Sequence, residues 1–264
     1  MVEKDCEWIL PENLRMQEIR ERTLVDRKEL KGVGDFGAFY AFRTGVNCDL
    51  IKPHAITEDG VAGLYVDGLK DWLNKQGFNL AGKSILDLGC AMGAITGAFR
   101  ANNKGANVVG VDISSDAIEY AVNHYPLCTF YCQSATDLDN VPDESYDIVH
   151  AKEFYPFTRT DDAEYQLEYF RTFHRILKAD GVICLAMFAV SRGLCNTYRA
   201  LIPELKKIGY QSFTMKETMV PLKMYKLFRS LTYNDLLYQA FSAATNSIMK
   251  LRGASPTYLY LIRK

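Results

Sequence analysis

The stretch "SILDLGCAMGAITGAFR", residues 84–100, contains the pattern that decides the fold. An apolar, strand-like run interrupted by Asp87 is followed by three glycines spaced four residues apart, Gly89, Gly93 and Gly97. Glycines after a parallel strand allow the backbone to turn sharply and a ligand to approach it closely. We expect Gly89 and Gly93 to serve these two purposes, and Gly97 to let the following helix pack tightly on the sheet.

Short apolar runs alternate with helical patterns along the chain from this stretch onward. The runs are near-continuous in hydrophobicity, as expected for strands covered on both faces. Residues 161–181 predict one of the intervening helices, with Asp161 and Asp162 at its start and Gly181 past its end. Strands that alternate with helices predict an α/β fold with a mainly parallel sheet. The predicted strands of this region are 84–90, 107–113, 128–134, 146–152 and 181–190.

The second of these strands ends in a carboxylate, Asp112. A carboxylate at the tip of that strand can accept two hydrogen bonds from a ribose diol. It could instead cap the next helix, but Ser114 and Ser115 already meet that need. We therefore expect Asp112 to bind a ribose.

A glycine loop and an acidic residue fit either a nicotinamide dinucleotide or an adenosyl ligand. A dinucleotide loop has the pattern G-x-G-x-x-G, which directs backbone N–H groups at a pyrophosphate. This chain instead has G-x-x-x-G, with Asp87 ahead of it and the bulky Met92 inside it. A ligand that bears an ammonium group suits a nearby carboxylate, so an NAD(P)-dependent oxidoreductase is the less favoured alternative.

Four motifs in order, "ILDLGCAMG", "VVGVDIS", "CQSATDLDNVPDESYDIVHAKE" and "FHRILKADGVICLAMF", resemble those of the class I S-adenosylmethionine-dependent methyltransferases. The resemblance covers about residues 82–190. It implies a doubly wound, Rossmann-like sheet of seven strands, mainly parallel, whose last strand is antiparallel. "TYLYLIRK", residues 257–264, fits that last strand.

The resemblance also implies that S-adenosylmethionine binds in a crevice formed by residues 87–93, 112–113, 134–135 and 151–153. The family usually has an Asp near the adenine amino group after the third strand, whereas this chain has Ser134. The adenine contact therefore stays open between Ser134, backbone groups and Asp137. The predicted cofactor-binding residues are Asp87, Gly89, Cys90, Ala91, Gly93, Asp112, Ile113, Ser134, Ala135 and Lys152.

The candidates for a catalytic base are Glu153, which follows the fourth strand, and His150 within it. Glu153 could equally be a solvated loop carboxylate, and His150 could be a core histidine. The segment "AKEFYPFTR" lacks the Asn/Asp-Pro-Pro-aromatic run of amide- and base-methylating members, and Phe157 stands where many small-molecule members have His. His54 and Tyr40 could approach the site from a lid.

Composition adds limits on partners and location. The net charge of −1 gives no reason to expect nucleic acid as the main partner. The N-terminus lacks a signal-peptide pattern, no apolar run is long enough to span a membrane, and seven cysteines suit a reducing compartment. We expect a cytoplasmic protein that binds a small-molecule substrate and no metal, and a homodimer is compatible with the sequence.

The segments before and after residues 82–190 predict how the whole chain divides into parts. We expect an N-terminal helical lid at residues 1–80 and a methyltransferase domain at 81–264. Within that domain, 222–250 is predicted to cover the substrate or to form a dimer interface. Substrate specificity is expected in 30–56 and 222–250.

The predicted activity is methyl transfer from S-adenosylmethionine to a small-molecule acceptor, with oxygen favoured. An RNA or protein methyltransferase and a non-catalytic S-adenosylmethionine-binding partner subunit are the alternatives. The sequence leaves the identity of the acceptor open.

Overall fold

A computed structural model describes residues 48–135, 137–158, 162–187, 193–217, 236–251 and 258–264. The helices are α1 Cys48–Lys75, α2 Ala94–Asn102, α3 Ser115–His124, α4 Tyr155–Thr158, α5 Ala163–Ile176, α6 Gly193–Ile208 and α7 Leu236–Leu251. The strands are β1 Ser84–Leu88, β2 Asn107–Asp112, β3 Thr129–Cys132, β4 Tyr146–Lys152, β5 Leu177–Met187, β6 Ser212–Glu217 and β7 Tyr258–Arg263.

The seven strands form one sheet in the order β3-β2-β1-β4-β5-β7-β6. Strands β1 to β5 pair in parallel, and β7 runs antiparallel to both β5 and β6. The strand order reverses at β1, where the chain crosses from one half of the sheet to the other. The predicted mainly parallel, doubly wound sheet with an antiparallel last strand is confirmed.

Both faces of the sheet are buried, which explains why its strands are apolar without alternation. Successive residues of β1 serve opposite sides: Ile85 belongs to a core cluster with α1 and α2, and Leu86 to a cluster with α5 and α6. Both side chains are fully buried. The burial of each contributes about 1.5–3 kcal/mol to the stability of the fold.

Helix α1 belongs to the same core as the sheet. Its side chains Tyr65, Leu69 and Leu73 are at most 1% exposed and pack in one cluster with Ile85 of β1. The predicted boundary between residues 80 and 81 therefore separates residues that share one hydrophobic core. We correct that division, because the described part of α1 completes one face of the sheet.

The helix predicted at 161–181 ends earlier than expected. Helix α5 stops at Ile176, and β5 begins at the next residue, Leu177, which pairs with Tyr146 of β4. The pairing between these strands is irregular before Val182, and Gly181 lies inside that irregular part rather than past a helix. A Cβ on Gly181 would approach the Leu177 side chain to 2.9 Å, so glycine there permits the close turn of the chain.

Two of the three spaced glycines allow close packing of neighbouring side chains against the start of α2. Gly93 has a φ of 82°, and a Cβ there would lie 2.9 Å from both Ala121 of α3 and Phe130 of β3. A Cβ on Gly97 would lie 2.3 Å from the Tyr125 ring, so this glycine lets α2 approach Tyr125 closely; the predicted role of Gly97 in packing on the sheet is wrong.

Several predicted features lie outside the described residues. These include Tyr40 and most of the proposed lid at 30–56, and the side chain of His54. The segment 222–250 is described only from Leu236, where α7 begins, and Phe241 of this helix packs against the core cluster shared by α1 and α2. Within the described part of the chain, no helix is both long and apolar enough to cross a bilayer.

Candidate functional site

A cleft of about 690 Å³, including its open mouth, lies at the carboxyl ends of β1 to β4. We call it the strand-end cleft. The carboxyl ends of the strands are where open α/β sheets bind ligands. Six of its lining residues were predicted from the sequence: Gly89, Asp112, Ile113, Ser134, Ala135 and Glu153.

The remaining lining residues form a largely aromatic wall that the sequence analysis missed. Tyr165 and Tyr169 come from the first two turns of α5, where their hydroxyl oxygens lie 3.0 Å apart. The signal was present in the aromatic run after β4 and in the i, i+4 spacing of the two tyrosines, which places them on one helix face. The lining residues not predicted are Val111, Gln133, Phe154, Tyr155, Pro156, Tyr165 and Tyr169.

Asp112 is held in place by backbone donors. Its Oδ1 accepts from the Ser114 N–H and its Oδ2 from the Ala91 N–H, each at 2.9 Å. Burial raises the pKa of this carboxyl, the two backbone donors oppose that rise, and the nearby Asp87 adds to it. Each oxygen has a second lone pair, so the fixed carboxylate can still accept two ligand hydroxyls.

The loop after β1 has a strained and tightly bonded backbone. Gly89 adopts a φ of 65°, and a Cβ there would lie 3.0 Å from the Phe154 ring. The Cys90 N–H donates to the Val111 carbonyl of β2 at 3.1 Å. Ala91 and Glu153 are two of the three non-glycine residues with positive φ in the described chain, at 50° and 53°. Such strain concentrates at functional sites.

Four predicted cofactor-binding residues near this loop, Asp87, Cys90, Ala91 and Gly93, do not line the strand-end cleft. Asp87 is 2% exposed, and its carboxylate oxygens accept from Thr96 Oγ1 at 2.6 Å and bond His150 Nδ1 at 2.7 Å. Burial, followed by the charges of Asp112 and Asp87, raises the pKa of the Cys90 thiol well above its ordinary value. Ala91 acts through its backbone, by fixing Asp112.

Lys152, also predicted to bind the cofactor, does not line the cleft either. It ends β4, and its Nζ lies 5.4 Å from the centre of the Tyr65 ring of α1. The side chain thus contacts the face of the sheet that α1 covers, while the next residue, Glu153, lines the cleft.

The structure separates the two candidates for a catalytic base. His150 is fully buried, bonded to Asp87 and to the Tyr65 hydroxyl, and does not line the cleft. A base must come within hydrogen-bond reach of the proton it removes. We therefore withdraw the predicted catalytic role of His150, and Glu153, which lines the cleft, remains the candidate.

The charge of the strand-end cleft suits a cationic ligand. Asp112 and Glu153 both line it, and none of the lining residues in the described chain is Lys or Arg. Gly93 and Ala94, at the start of α2, do not line it, so the helix N-terminus is not presented to a pyrophosphate. These features fit S-adenosylmethionine, whose sulfonium and ammonium are positive and whose ribose presents a diol to Asp112.

Comparison with known proteins agrees with this geometry. A sequence profile of the family described as "Methyltransferase domain" matches residues 79–244, more than half of the chain. A candidate methyltransferase, 235L, of Invertebrate iridescent virus 6 is 36% identical over 67 residues. That match covers 25% of this chain and 24% of the viral protein, so it spans about a quarter of each.

Two solved structures share the fold at low sequence identity. One is a phosphoethanolamine N-methyltransferase 2 of Haemonchus contortus in complex with S-adenosyl-L-methionine, with 17% identity, a TM-score of 0.50 and coverage of 88% of this chain and 60% of that one. The other is a candidate S-adenosylmethionine-dependent methyltransferase from Listeria monocytogenes, with 16% identity, a TM-score of 0.50 and coverage of 76% and 99%.

Proposed function

Because this chain belongs to the family of methyltransferase domains, we propose that it transfers a methyl group from S-adenosylmethionine to a small-molecule acceptor, with oxygen favoured. The family match confirms the predicted enzyme class and S-adenosylmethionine as its cofactor. The acceptor is inferred from the strand-end cleft. The observation that carries the proposal is that Asp112 and Glu153 line one cleft together with Gly89.

Three features of the chain fit the cofactor. Asp112 can accept the ribose hydroxyls while Ser114 and Ala91 hold it in place. Gly89 leaves open the space next to Phe154 that a side chain would fill. The lining carboxylates favour a positively charged ligand.

Bound S-adenosylmethionine supplies an electrophilic methyl carbon, so the protein mainly contributes proximity, alignment and a base. A hydroxyl acceptor would have to give up its proton on taking the methyl group, while the carbon–sulfur bond of the cofactor would break and S-adenosylhomocysteine would leave with the bonding pair. We assign that proton to Glu153, because this residue lines the cleft and its backbone is held by a hydrogen bond from its N–H to the Ala186 carbonyl at 2.8 Å. The acidic lining also disfavours the phosphates of RNA, which supports a small-molecule acceptor over a nucleic acid.

The proposal is tested by methyl transfer from S-adenosylmethionine labelled in the methyl group. The full chain is incubated with panels of small hydroxyl, amine and thiol compounds, and in parallel with total RNA and with unmodified protein. We expect S-adenosylmethionine to bind in calorimetry and the label to enter a small hydroxyl compound. Label in RNA or protein alone would contradict the proposed acceptor class. Binding without any transfer would favour the non-catalytic partner subunit.

The role of Glu153 is tested with Glu153→Gln. Removal of a general base lowers kcat by about 100- to 10,000-fold, and we expect S-adenosylhomocysteine to bind with little change. Glu164→Gln is the matched control, because Glu164 is an exposed carboxylate of α5 paired with Arg171. Normal kcat in Glu153→Gln would exclude Glu153 as the base.

A further inference from the structure

Four buried polar side chains form a hydrogen-bonded chain next to the loop that enters the strand-end cleft. Thr96 Oγ1 donates to Asp87 Oδ2 at 2.6 Å, and His150 Nδ1 lies 2.7 Å from Asp87 Oδ1. The Tyr65 hydroxyl lies 2.7 Å from His150 Nε2. All four residues are at most 2% exposed. We call this set the Tyr65 network.

The roles of the bonded atoms follow from their chemistry. An ionised carboxylate can only accept, so the Nδ1 of His150 carries the proton that it donates to Asp87. In the neutral imidazole, Nε2 then accepts from the Tyr65 hydroxyl. Each member therefore has its orientation determined by the next, from α1 through β4 to β1.

Tyr65 is linked to the ends of both strands that frame the cleft, to β4 directly and to β1 through His150. Through His150 it reaches Asp87 of β1, two residues before the lining residue Gly89. Its ring faces the Nζ of Lys152, the last residue of β4 and the neighbour of the lining residue Glu153. One side chain of α1 thus contacts β4 directly, at His150 and Lys152, and is linked to β1 through the bond between His150 and Asp87.

Stability alone does not account for such a network. Apolar residues of similar volume are often as stabilising as buried, charged groups, and the surrounding core cluster is apolar. The network lies next to strained backbone, because Ala91 and Glu153 are non-glycine residues with positive φ. Strained backbone persists only where surrounding contacts hold it.

We propose that Tyr65 is a positioning residue. Through its bond to His150, which in turn bonds Asp87, and through the contact of its ring with Lys152, it holds the ends of β1 and β4 at the spacing that S-adenosylmethionine requires. The inference rests on the proposed function. The inference extends that function, because it assigns part of the affinity for the cofactor to a side chain of α1 that does not line the cleft.

The test compares two variants that each remove one buried tyrosine hydroxyl. Tyr65→Phe removes the bond to His150. Tyr210→Phe, the matched control, removes a bond of 2.7 Å to the Phe170 carbonyl on the other face of the sheet. The affinity for S-adenosylhomocysteine is measured by calorimetry on the full chain, and Tm is recorded for each variant. We expect both variants to lose Tm, whereas only Tyr65→Phe weakens binding, by about 2- to 30-fold.

A second variant keeps the inference testable if Tyr65→Phe does not fold. Thr96→Val removes the other side-chain donor to Asp87 with little change in shape, and it should weaken binding in the same direction. Normal affinity in the folded variants of Tyr65 and Thr96 would overturn the inference and leave the proposed function intact. An equal loss in Tyr210→Phe would also overturn it, because general destabilisation would then explain the effect. Absence of binding in the wild-type protein would refute the proposed function and the inference with it.

Discussion

Replacement of Asp112 by Asn is the most direct test of the strand-end cleft. The substitution keeps the size of the side chain and removes its charge. One of the two carboxylate oxygens becomes an NH₂ group, which cannot accept a hydrogen bond. Whichever oxygen is replaced, its bond from the Ser114 N–H or the Ala91 N–H is lost. The same position can no longer accept a ribose hydroxyl.

The loss of affinity follows from the number of bonds removed. At least one charge-assisted hydrogen bond to the ribose disappears, and such bonds contribute about 1.5–3 kcal/mol each. We therefore expect the Kd for S-adenosylhomocysteine to rise by about 10- to 150-fold. Calorimetric titration measures this change, and circular dichroism checks that the variant is folded.

The pH dependence of binding provides a second readout. Burial raises the pKa of Asp112 above its ordinary value, with the Asp87 charge adding to the rise against the two backbone donors. Because the ribose needs the ionised form, wild-type affinity should fall as pH drops through that raised pKa. The Asn variant should lack this step.

Asp147→Asn is the control for a general effect of removing a carboxylate. Asp147 lies at the opposite end of the strands, where it accepts from the Ser84 N–H and pairs with Lys83 and Lys178. This variant should lose stability and keep its affinity. If Asp112→Asn bound as tightly as the wild type, or lost no more affinity than Asp147→Asn, the assignment of Asp112 to the ribose would be wrong.

Two further predictions concern stability. Gly93→Ala should lower the free energy of unfolding by about 1–3 kcal/mol, because the φ of 82° strains any side chain and the new Cβ meets Ala121 and Phe130. Denaturant titration measures this loss, and unchanged stability would contradict the packing. Burial would raise the pKa of Asp147, but the bonds from Lys178, Ser84 and Lys83 outweigh it and lower that pKa. A carboxyl whose pKa is lowered in the folded state adds stability at pH values above its ordinary pKa, and this stability is lost as the pH falls through the lowered pKa. The destabilisation caused by Asp147→Asn should therefore be full at neutral pH and vanish in strong acid. A difference between the unfolding free energies that stays constant across this acid range would refute it.

Local patterns predicted the sheet well. The apolar runs that contain Ile85, Val109 and Val149 are strands because both of their faces are covered, and that requirement is visible in the sequence without knowledge of the covering helices. The end of α5 was placed too late, since "ILKADG" is compatible with a helix end. The pairing of Leu177 with Tyr146 made it a strand, and that pairing joins residues 31 positions apart.

The candidate site was predicted in part for the same reason. Gly89 and Asp112 follow directly from their positions at strand ends, because in a parallel sheet those ends meet at one edge. Tyr165 and Tyr169 come from a helix whose rotation about its axis is set by packing, so their place in the cleft could not be inferred from the strands.

The sequence by itself therefore determined the mainly parallel α/β sheet, because that fold depends on local hydrophobicity, and its four motifs carried the resemblance that implied the methyltransferase family and S-adenosylmethionine. Only the tertiary structure decided which polar side chains face the cleft. Asp87 and His150 point instead toward α1 and α2, where Tyr65 and Thr96 bond them. A buried polar group takes the partner that packing places within reach, and here those partners come from helices on one face of the sheet.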